Sequence, residues 1–561
     1  MKISYRKYYI YLACIITSFV SHPALAKPVT AKQAMVVSEQ YLASEAGIQI
    51  LKAGGNAIDA AVAVGYALAV VNPCCGNIGG GGFMLIHFAN GKDTVFNFRE
   101  KAPLKASKNM FLDKQGNVIP DSTSKGYLAV AVPGTVAGLD AALAKYGTMN
   151  RKQVIAPAIN LAKNGYHVGI FDSTWFKVYA SSFHTQPNVA AIFLNHGKPW
   201  RKGELLIQTD LANTLTLIAE NGPDVFYKGI IAKKIVKASE ENGGLLTMQD
   251  FASYQVQELS PLYCDYRGNT IISVPPPSSG GVTLCEMLGI LEHFPLREYG
   301  FHSVQSVHDM VEAMRYGFYD RNTKLGDPDF VKNPVNELIS KKYTTDISKK
   351  IADIRIIPHE NVEVRHVEQT DTTHYSIIDK MGNAVSVTYT INGFFGAEVI
   401  AGNTGFFLND EMDDFTAKMD RDNKFNLMQP PQNIIAGGKR PLSSMTPTIV
   451  LKNQQPYMIL GSPGGPRIIT TVLQTLINII DFDMDIQQAI DMPRFHFQGI
   501  PDYIEIEPDA LSRLASFKLK RMGYNIKQID KWSAVEIILI DKNILYGAND
   551  HRRPDGAAVG Y

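Results

Sequence analysis

Charge imbalance is what this 561-residue chain most clearly lacks: 55 Lys and Arg stand against 54 Asp and Glu, a formal net charge of +1. A balance this close argues against a basic face for nucleic acid and against an acidic solvating tail. Cysteine is scarce, five residues in all, which excludes a small disulfide scaffold. No paired Cys-x-x-Cys motifs with zinc-finger spacing occur, and His366 and His374 do not form a His-Glu-x-x-His pattern. Structural zinc and a catalytic metal are therefore both disfavoured. No Gly-x-Ser-x-Gly elbow is present, which argues against an α/β-hydrolase. The glycine run Gly79 to Gly82 precedes a strand instead of following one, and no Lys-Ser/Thr comes after it, so a phosphate cradle is not supported. Internal repeats, low-complexity blocks and an apolar run long enough to span a bilayer are also missing.

What is present begins with a leader. Lys2, Arg6 and Lys7 precede a short apolar stretch, Tyr8 to Val20, and Ala24-Leu25-Ala26 has the small-x-small pattern of a cleavage site. Residues 1–26 are therefore expected to be a signal peptide, with the mature chain starting at Lys27 in an exported compartment. Four cysteines then remain, Cys74, Cys75, Cys264 and Cys285. A Cys264–Cys285 bridge is conceivable, with nothing in the sequence to support it. At 45% hydrophobic residues the chain can bury a large core, and its length suggests two to four domains.

Ser38 to Leu51 has helical apolar spacing, and Gly54-Gly55 stops it. Asn56 or Asp59 can cap the next helix, whose Ile58-to-Leu68 run is apolar nearly all round and therefore reads as a buried central helix. The glycines Gly79 to Gly82 suggest close backbone packing under a site. They lead into a strand, Phe83 to Phe88, and a second strand runs from Asp93 to Phe98. Residues 133–261 read mainly as helix. Ile271 to Val274 is extended and enters Pro275 to Gly281, with helices after Val282 and over Val307 to Tyr319.

From Thr372 the texture changes to strands: His374 to Asp379, a turn at Lys380 to Asn383, then Ala384 to Ile391. This hairpin places Thr390 within about one residue of the register partner of Thr372. A threonine hydroxyl is a poor nucleophile without an adjacent base, and its own α-amino group can serve once the chain is cut before it. Cleavage of Asp371–Thr372 would make Thr372 such a residue. By itself, a Thr-Thr pair entering a strand reads equally well as β-propensity.

Further strings decide between these readings. Thr372-Thr373-His374-Tyr375-Ser376, Asp413-Asp414-Phe415, Lys439 to Pro447 and Gly461-Ser462-Pro463-Gly464-Gly465 together resemble the γ-glutamyltransferase (γ-glutamyl transpeptidase) family. Asn77 to Met84, Phe98-Arg99-Glu100, Pro275 to Gly281 and Gly326-Asp327-Pro328-Asp329 match upstream, in the family's order. The resemblance implies an α+β N-terminal-nucleophile hydrolase with a four-layer αββα sandwich. It also implies a precursor that cuts itself at Asp371–Thr372 into a large subunit, residues 27–371, and a small catalytic one, residues 372–561.

It assigns roles as well. Thr372 is the expected nucleophile, Thr390 orients its hydroxyl, and Gly464 and Gly465 supply an oxyanion hole. Arg99, Ser443 and Ser444 are expected to hold an α-carboxylate, and Asn392, Glu411 and Asp414 an α-ammonium. Glu411 is the more acidic of two variants the family uses there. The polar segment after Phe415 is expected to be a lid, with Phe425 as its aromatic wall. No cofactor and no metal are implied. The expected partners are γ-glutamyl compounds such as glutathione, amino acid or peptide acceptors, and the two subunits for each other; no nucleic acid or stable membrane anchor is expected. The compartment would be a periplasm, with secretion as the alternative. Rival readings are a cephalosporin-type acylase, a poly-γ-glutamate depolymerase, and an inactive exported binding protein.

Overall fold

The computed structural model describes residues 27–353, 372–419 and 421–561. The leader, His366 and Asp371 lie outside them, as does the polar segment before the threonine pair. Among the described residues no helix is long and apolar enough to cross a membrane.

Two seven-stranded sheets form the centre. In chain order the strands are β1 (Val29–Ala31), β2 (Met35–Ser38), β3 (Gly81–His87), β4 (Asp93–Asn97), β5 (Gln257–Leu259), β6 (Leu262–Tyr266) and β7 (Asn269–Ser273). After them come β8 (Thr373–Ile378), β9 (Ala384–Thr390), β10 (Thr448–Lys452), β11 (Gln455–Gly461), β12 (Glu536–Asp541), β13 (Ile544–Asn549) and β14 (Ala557–Gly560). One sheet has the order β14-β2-β8-β9-β3-β4-β5 and the other β1-β13-β12-β11-β10-β7-β6. Each sheet thus contains strands from both sides of the expected cut.

Period-two alternation explains the layering. Met35, Val37, Phe83 and Leu85 meet Ile272, Ile449, Ile459 and Ile538 between the sheets. Val36, Met84, Ile86, Ile377 and Val387 face outward, against α1 (Tyr41–Lys52) and α2 (Ala57–Val71). On the other side Ile271, Val450, Met458 and Ile537 pack under α3 (Gly280–Leu291), α4 (Val304–Lys324) and α5 (Arg467–Ile480). The result is the expected αββα sandwich. Each fully buried branched or long apolar side chain contributes roughly 1.5–3 kcal/mol. A one-residue slip of β8 would exchange its two faces, so register is strongly specified.

Both candidate caps of α2 are used. The Asn56 side chain accepts from the N–H groups of Ile58 and Asp59, while Asp59 accepts from the Asn56 N–H. This reciprocal box begins a helix in which every residue is buried. The glycine run packs as expected: a Cβ on Gly80 would stand 1.8 Å from the Thr390 carbonyl oxygen. Two assignments shift. Ser38 closes β2 instead of opening a helix, because Met35–Ser38 is buried throughout and pairs with β8; α1 starts at Tyr41, capped by Gln40. Cys264 and Cys285 do pair, tying β6 to α3, and the neighbouring Cys74 and Cys75 are also joined.

Candidate active site

The β8–β9 hairpin sets the first contact. Its register pairs Thr373 with Tyr389, which brings Thr372 opposite Thr390. The Thr372 hydroxyl donates to Thr390 Oγ1 at 3.2 Å, and the Asn392 N–H donates to the same oxygen at 2.8 Å. Thr390 therefore positions two neighbours at once. Asn392 sits at a positive φ of 77°, and its side-chain amide donates to the Asp410 carbonyl at 3.1 Å.

Arg99 lies just past β4, where Asn97 Oδ1 accepts its backbone N–H. Its guanidinium is almost wholly buried, at 1% exposure. Nε donates to the Pro441 carbonyl at 3.1 Å, Nη2 to Asp414 Oδ2 at 2.6 Å, and Nη1 to Glu411 and, at 3.4 Å, to Glu100. Burial works to lower the Arg99 pKa, but Glu411, Glu100 and Asp414 outweigh it, and the net shift is upward. Burial raises the Glu100 carboxyl to about 7 even with Arg99 pulling the other way. Glu411 is pushed well above the usual carboxylate range, again by burial against Arg99.

These contacts modify one expectation. The cation expected to face a carboxylate and the acids expected to face an ammonium are paired with each other. The extra acidity of Glu411 is likewise not open to a ligand in this arrangement, because one oxygen is on Arg99 and burial disfavours its charge.

Ser443 is held by the Pro275-to-Gly281 turn, and the carbonyl of Ser444 accepts from the Thr446 hydroxyl at 2.9 Å. The Ser443 N–H donates to the Pro277 carbonyl at 2.9 Å, and the Ser279 N–H and hydroxyl both donate to the Ser443 carbonyl, at 2.8 and 2.7 Å. Gly464 and Gly465 link β11 to α5 with φ of +127° and +56°, a conformation that suits glycine. A Cβ on Gly464 would also meet Ser533 Oγ at 2.0 Å.

Thr372, Thr390, Arg99, Asn392, Glu411, Asp414, Phe425, Ser443, Ser444 and Gly465 line one cavity of about 20 Å³. Gly464 is adjacent in sequence but not part of the lining. A volume of this size holds about one water, so a ligand with several carbons requires the cover to move. Phe425 is 5% exposed and sits in a short loop closed by an Asp422–Met428 bridge. Asn423 donates to Asp414 Oδ1 at 3.3 Å, and Gln498 donates to the Asn426 carbonyl at 2.7 Å. The loop that carries Phe425 thus packs over the cavity.

Sequence reading missed Asn433, whose amide donates to the Asp414 carbonyl at 2.6 Å while its Oδ1 accepts from the Leu442 N–H at 3.0 Å. It also missed Asp410, which accepts from the Gly393 N–H and pairs with Lys424. Its position directly before Glu411 was the available signal for Asp410; Asn433 had none. His374 behaves as a local hydrogen-bonding residue, on Thr388 Oγ1 at 2.8 Å and Ser376 Oγ at 3.1 Å. Burial lowers its pKa to about 3.

Comparison with known proteins agrees with this geometry. The family model described as Gamma-glutamyltranspeptidase matches residues 43–560. A glutathione hydrolase proenzyme of Pseudomonas sp. (strain A14) is 50% identical over 565 residues, covering 98% of each chain. Another, of Escherichia coli (strain K12), is 45% identical over 543 residues, covering 95% of this chain and 93% of its own. Among solved structures, a cephalosporin acylase from Bacillus halodurans aligns with a TM-score of 0.83 at 28% identity, covering 96% of this chain and 98% of its own. With a family match over nearly its whole length and close relatives covered end to end, this chain belongs to the γ-glutamyltranspeptidase family.

Proposed function

We propose that this chain is an exported, self-cleaving γ-glutamyltransferase that also hydrolyses glutathione. The observation that carries the reading is the Thr372–Thr390 hydroxyl contact of 3.2 Å, in one cavity with Arg99, Asp414 and the two serines. The names of the relatives as glutathione hydrolase proenzymes support both the substrate and the precursor. Export rests on the leader, residues 1–26.

Maturation begins with attack of the Thr372 hydroxyl on the Asp371 carbonyl. The Asp371–Thr372 amide is exchanged for an ester, and the α-amine of Thr372 is released. Water then cleaves the ester and leaves residues 27–371 and 372–561 as large and small subunits. In the mature site the Thr372 amine takes the proton as Oγ1 attacks the γ-amide carbonyl. Gly464 and Gly465 N–H groups meet the oxyanion, each such donor being worth about 3 kcal/mol. The C–N bond breaks, the amine proton passes to the leaving group, and a glutamyl ester on Thr372 remains. Water or the amine of an amino acid or peptide takes over the glutamyl group and restores the hydroxyl.

The glutamyl head is a zwitterion. Its carboxylate replaces Glu411 and Asp414 on Arg99, with Ser443 and Ser444 alongside. Its ammonium takes the released acids together with the Asn392 side chain. The Phe425 loop closes over it and restricts water.

The test is a gel and an assay together. Thr372→Ala should remain one chain and release no chromophore from γ-glutamyl-p-nitroanilide, with or without a dipeptide acceptor. Two mature fragments, or turnover, from that variant would sink the nucleophile assignment.

A further inference from the structure

Arg321 is a buried cation that the reaction described above does not use. It lies on the large-subunit helix α4 and is 1% exposed. Nη1 donates to Gln429 Oε1 at 2.8 Å, the Asn322 side chain at 3.2 Å and the Met428 carbonyl at 3.3 Å, while Nε is buried with no hydrogen-bond partner. All three acceptors are neutral, and Arg321 forms no ion pair among the described residues. Burying a full charge among neutral oxygens is costly, so its retention beside the cavity calls for a reason.

Two structural links supply one. The first is mechanical. Met428 and Gln429 form the return of the loop that carries Phe425, so Arg321 ties that loop to a helix on the other side of the expected cut. Gln429 Oε1 also accepts from Asn433 Nδ2 at 3.4 Å, and Asn433 reaches the Asp414 carbonyl and the N–H of Leu442, the residue before Ser443. One guanidinium therefore braces the cover and, through Gln429 and Asn433, both ends of the pocket. The second is electrostatic. The charged groups that act on Arg321 are Asp414, which favours its charge, and Arg99, which opposes it; burial, with Arg99 adding to it, outweighs Asp414 and brings the pKa down to about 10, so Arg321 stays protonated at neutral pH. Asp414 in turn faces Arg99, Glu411, Glu100, Asp413 and the neutral amide of Asn423. The immediate set of two cations and four acids becomes one cation and four acids without Arg321.

We propose that Arg321 is a positioning residue for γ-glutamyl binding: it latches the Phe425 loop from the large subunit and supplies the second positive charge that Asp414 faces. This rests on the γ-glutamyl reading of the cavity. Wild-type turnover of γ-glutamyl-p-nitroanilide tests that reading separately, and its absence overturns both.

Three variants are compared with wild type for kcat and KM. Arg321→Met removes charge and latch. KM should rise about tenfold while kcat stays within about threefold, as for a lost binding interaction. Arg321→Lys keeps the charge, and Gln429→Leu keeps it while cutting the latch. Both should raise KM, by less than Arg321→Met does. An Arg321→Met enzyme with wild-type KM overturns the proposal. So does a fall in kcat as large as the rise in KM, which would assign the effect to disturbed packing. If Arg321→Met does not fold, the other two decide: wild-type KM in both rules the latch out.

Discussion

Replacing Arg99 by lysine keeps the charge and removes the fork, so it isolates what geometry contributes to the pocket. In the structure the guanidinium makes three separate strong contacts, Nε on the Pro441 carbonyl, Nη2 on Asp414 and Nη1 on Glu411. An ammonium can follow one acid without spanning both. The variant thus loses at least one charge-assisted bond to a carboxylate and the one to Pro441. Hydrogen bonds to charged groups are worth about 1.5–3 kcal/mol each; since on the proposed reading Arg99 trades its acids for the substrate carboxylate, only part of this appears in catalysis. A net loss of about 3 kcal/mol corresponds to a fall of about hundredfold in kcat/KM. Because the α-carboxylate is distant from the breaking bond, most of the fall should appear in KM. Initial rates of p-nitroaniline release from the γ-glutamyl anilide measure it, after a gel has verified that the variant is cleaved. A correctly cleaved Arg99→Lys enzyme within about threefold of wild-type kcat/KM would refute the bidentate role.

Other consequences are equally direct. Thr390→Val removes the acceptor of both the Thr372 hydroxyl and the Asn392 N–H; kcat should fall about tenfold or more with KM little changed, Thr390→Ser should recover most of it, and steady-state kinetics decide. A glutaryl anilide, which lacks the α-ammonium, should be turned over about a thousandfold less efficiently than the γ-glutamyl anilide; comparable kcat/KM values would favour the acylase reading. Burial raises the folded-state pKa of Glu100 from 4.5 to about 7, so its contribution to stability is full below about pH 4.5 and is lost as pH rises through about 7. Glu100→Gln should therefore gain melting temperature relative to wild type between pH 5 and 8, and parallel melting curves across that range would contradict the assignment. Opening Cys264–Cys285, which closes a 21-residue separation, should cost about 3 kcal/mol, read as a lower denaturation midpoint for Cys264→Ser/Cys285→Ser.

Elements with one dominant local signal were legible in the sequence. The β8–β9 hairpin was specified by alternation around a Gly-Asn turn, and its register followed, which is why the Thr372–Thr390 pairing could be anticipated. The α2 helix was likewise set by its cap and its continuous apolar run. β2 was missed because a four-residue apolar stretch next to a helical pattern has no period of its own; its pairing with β8 is a long-range choice. The same limit explains the pocket. Motifs nominated Arg99, Glu411 and Asp414 separately, but nothing local states that burial would press them onto one another. Asn433 and Arg321 are further still from local signals, since their roles exist only where the loop after Phe415 folds back on α4.

The mutual pairing of Arg99 with its acids bears on which substrates the pocket can take. A cavity of about 20 Å³ lined by an arginine and carboxylates holds charges that already answer one another, so they are not left exposed in a low-dielectric site. A zwitterion can enter by exchange: its carboxylate takes the arginine, its ammonium takes the acids, and the net buried charge is unchanged. A plain carboxylate can make only the first exchange and leaves the displaced acids facing each other without a cation. They must then take up a proton or be solvated, and either cost is subtracted from binding. A plain amine fails in the opposite sense, by drawing the acids away from a buried guanidinium. On the proposed reading, discrimination for an α-amino acid head follows from the self-neutralised pocket itself. Substitutions at Arg99 and at Asp414 should accordingly be strongly non-additive, because each removes half of the same exchange.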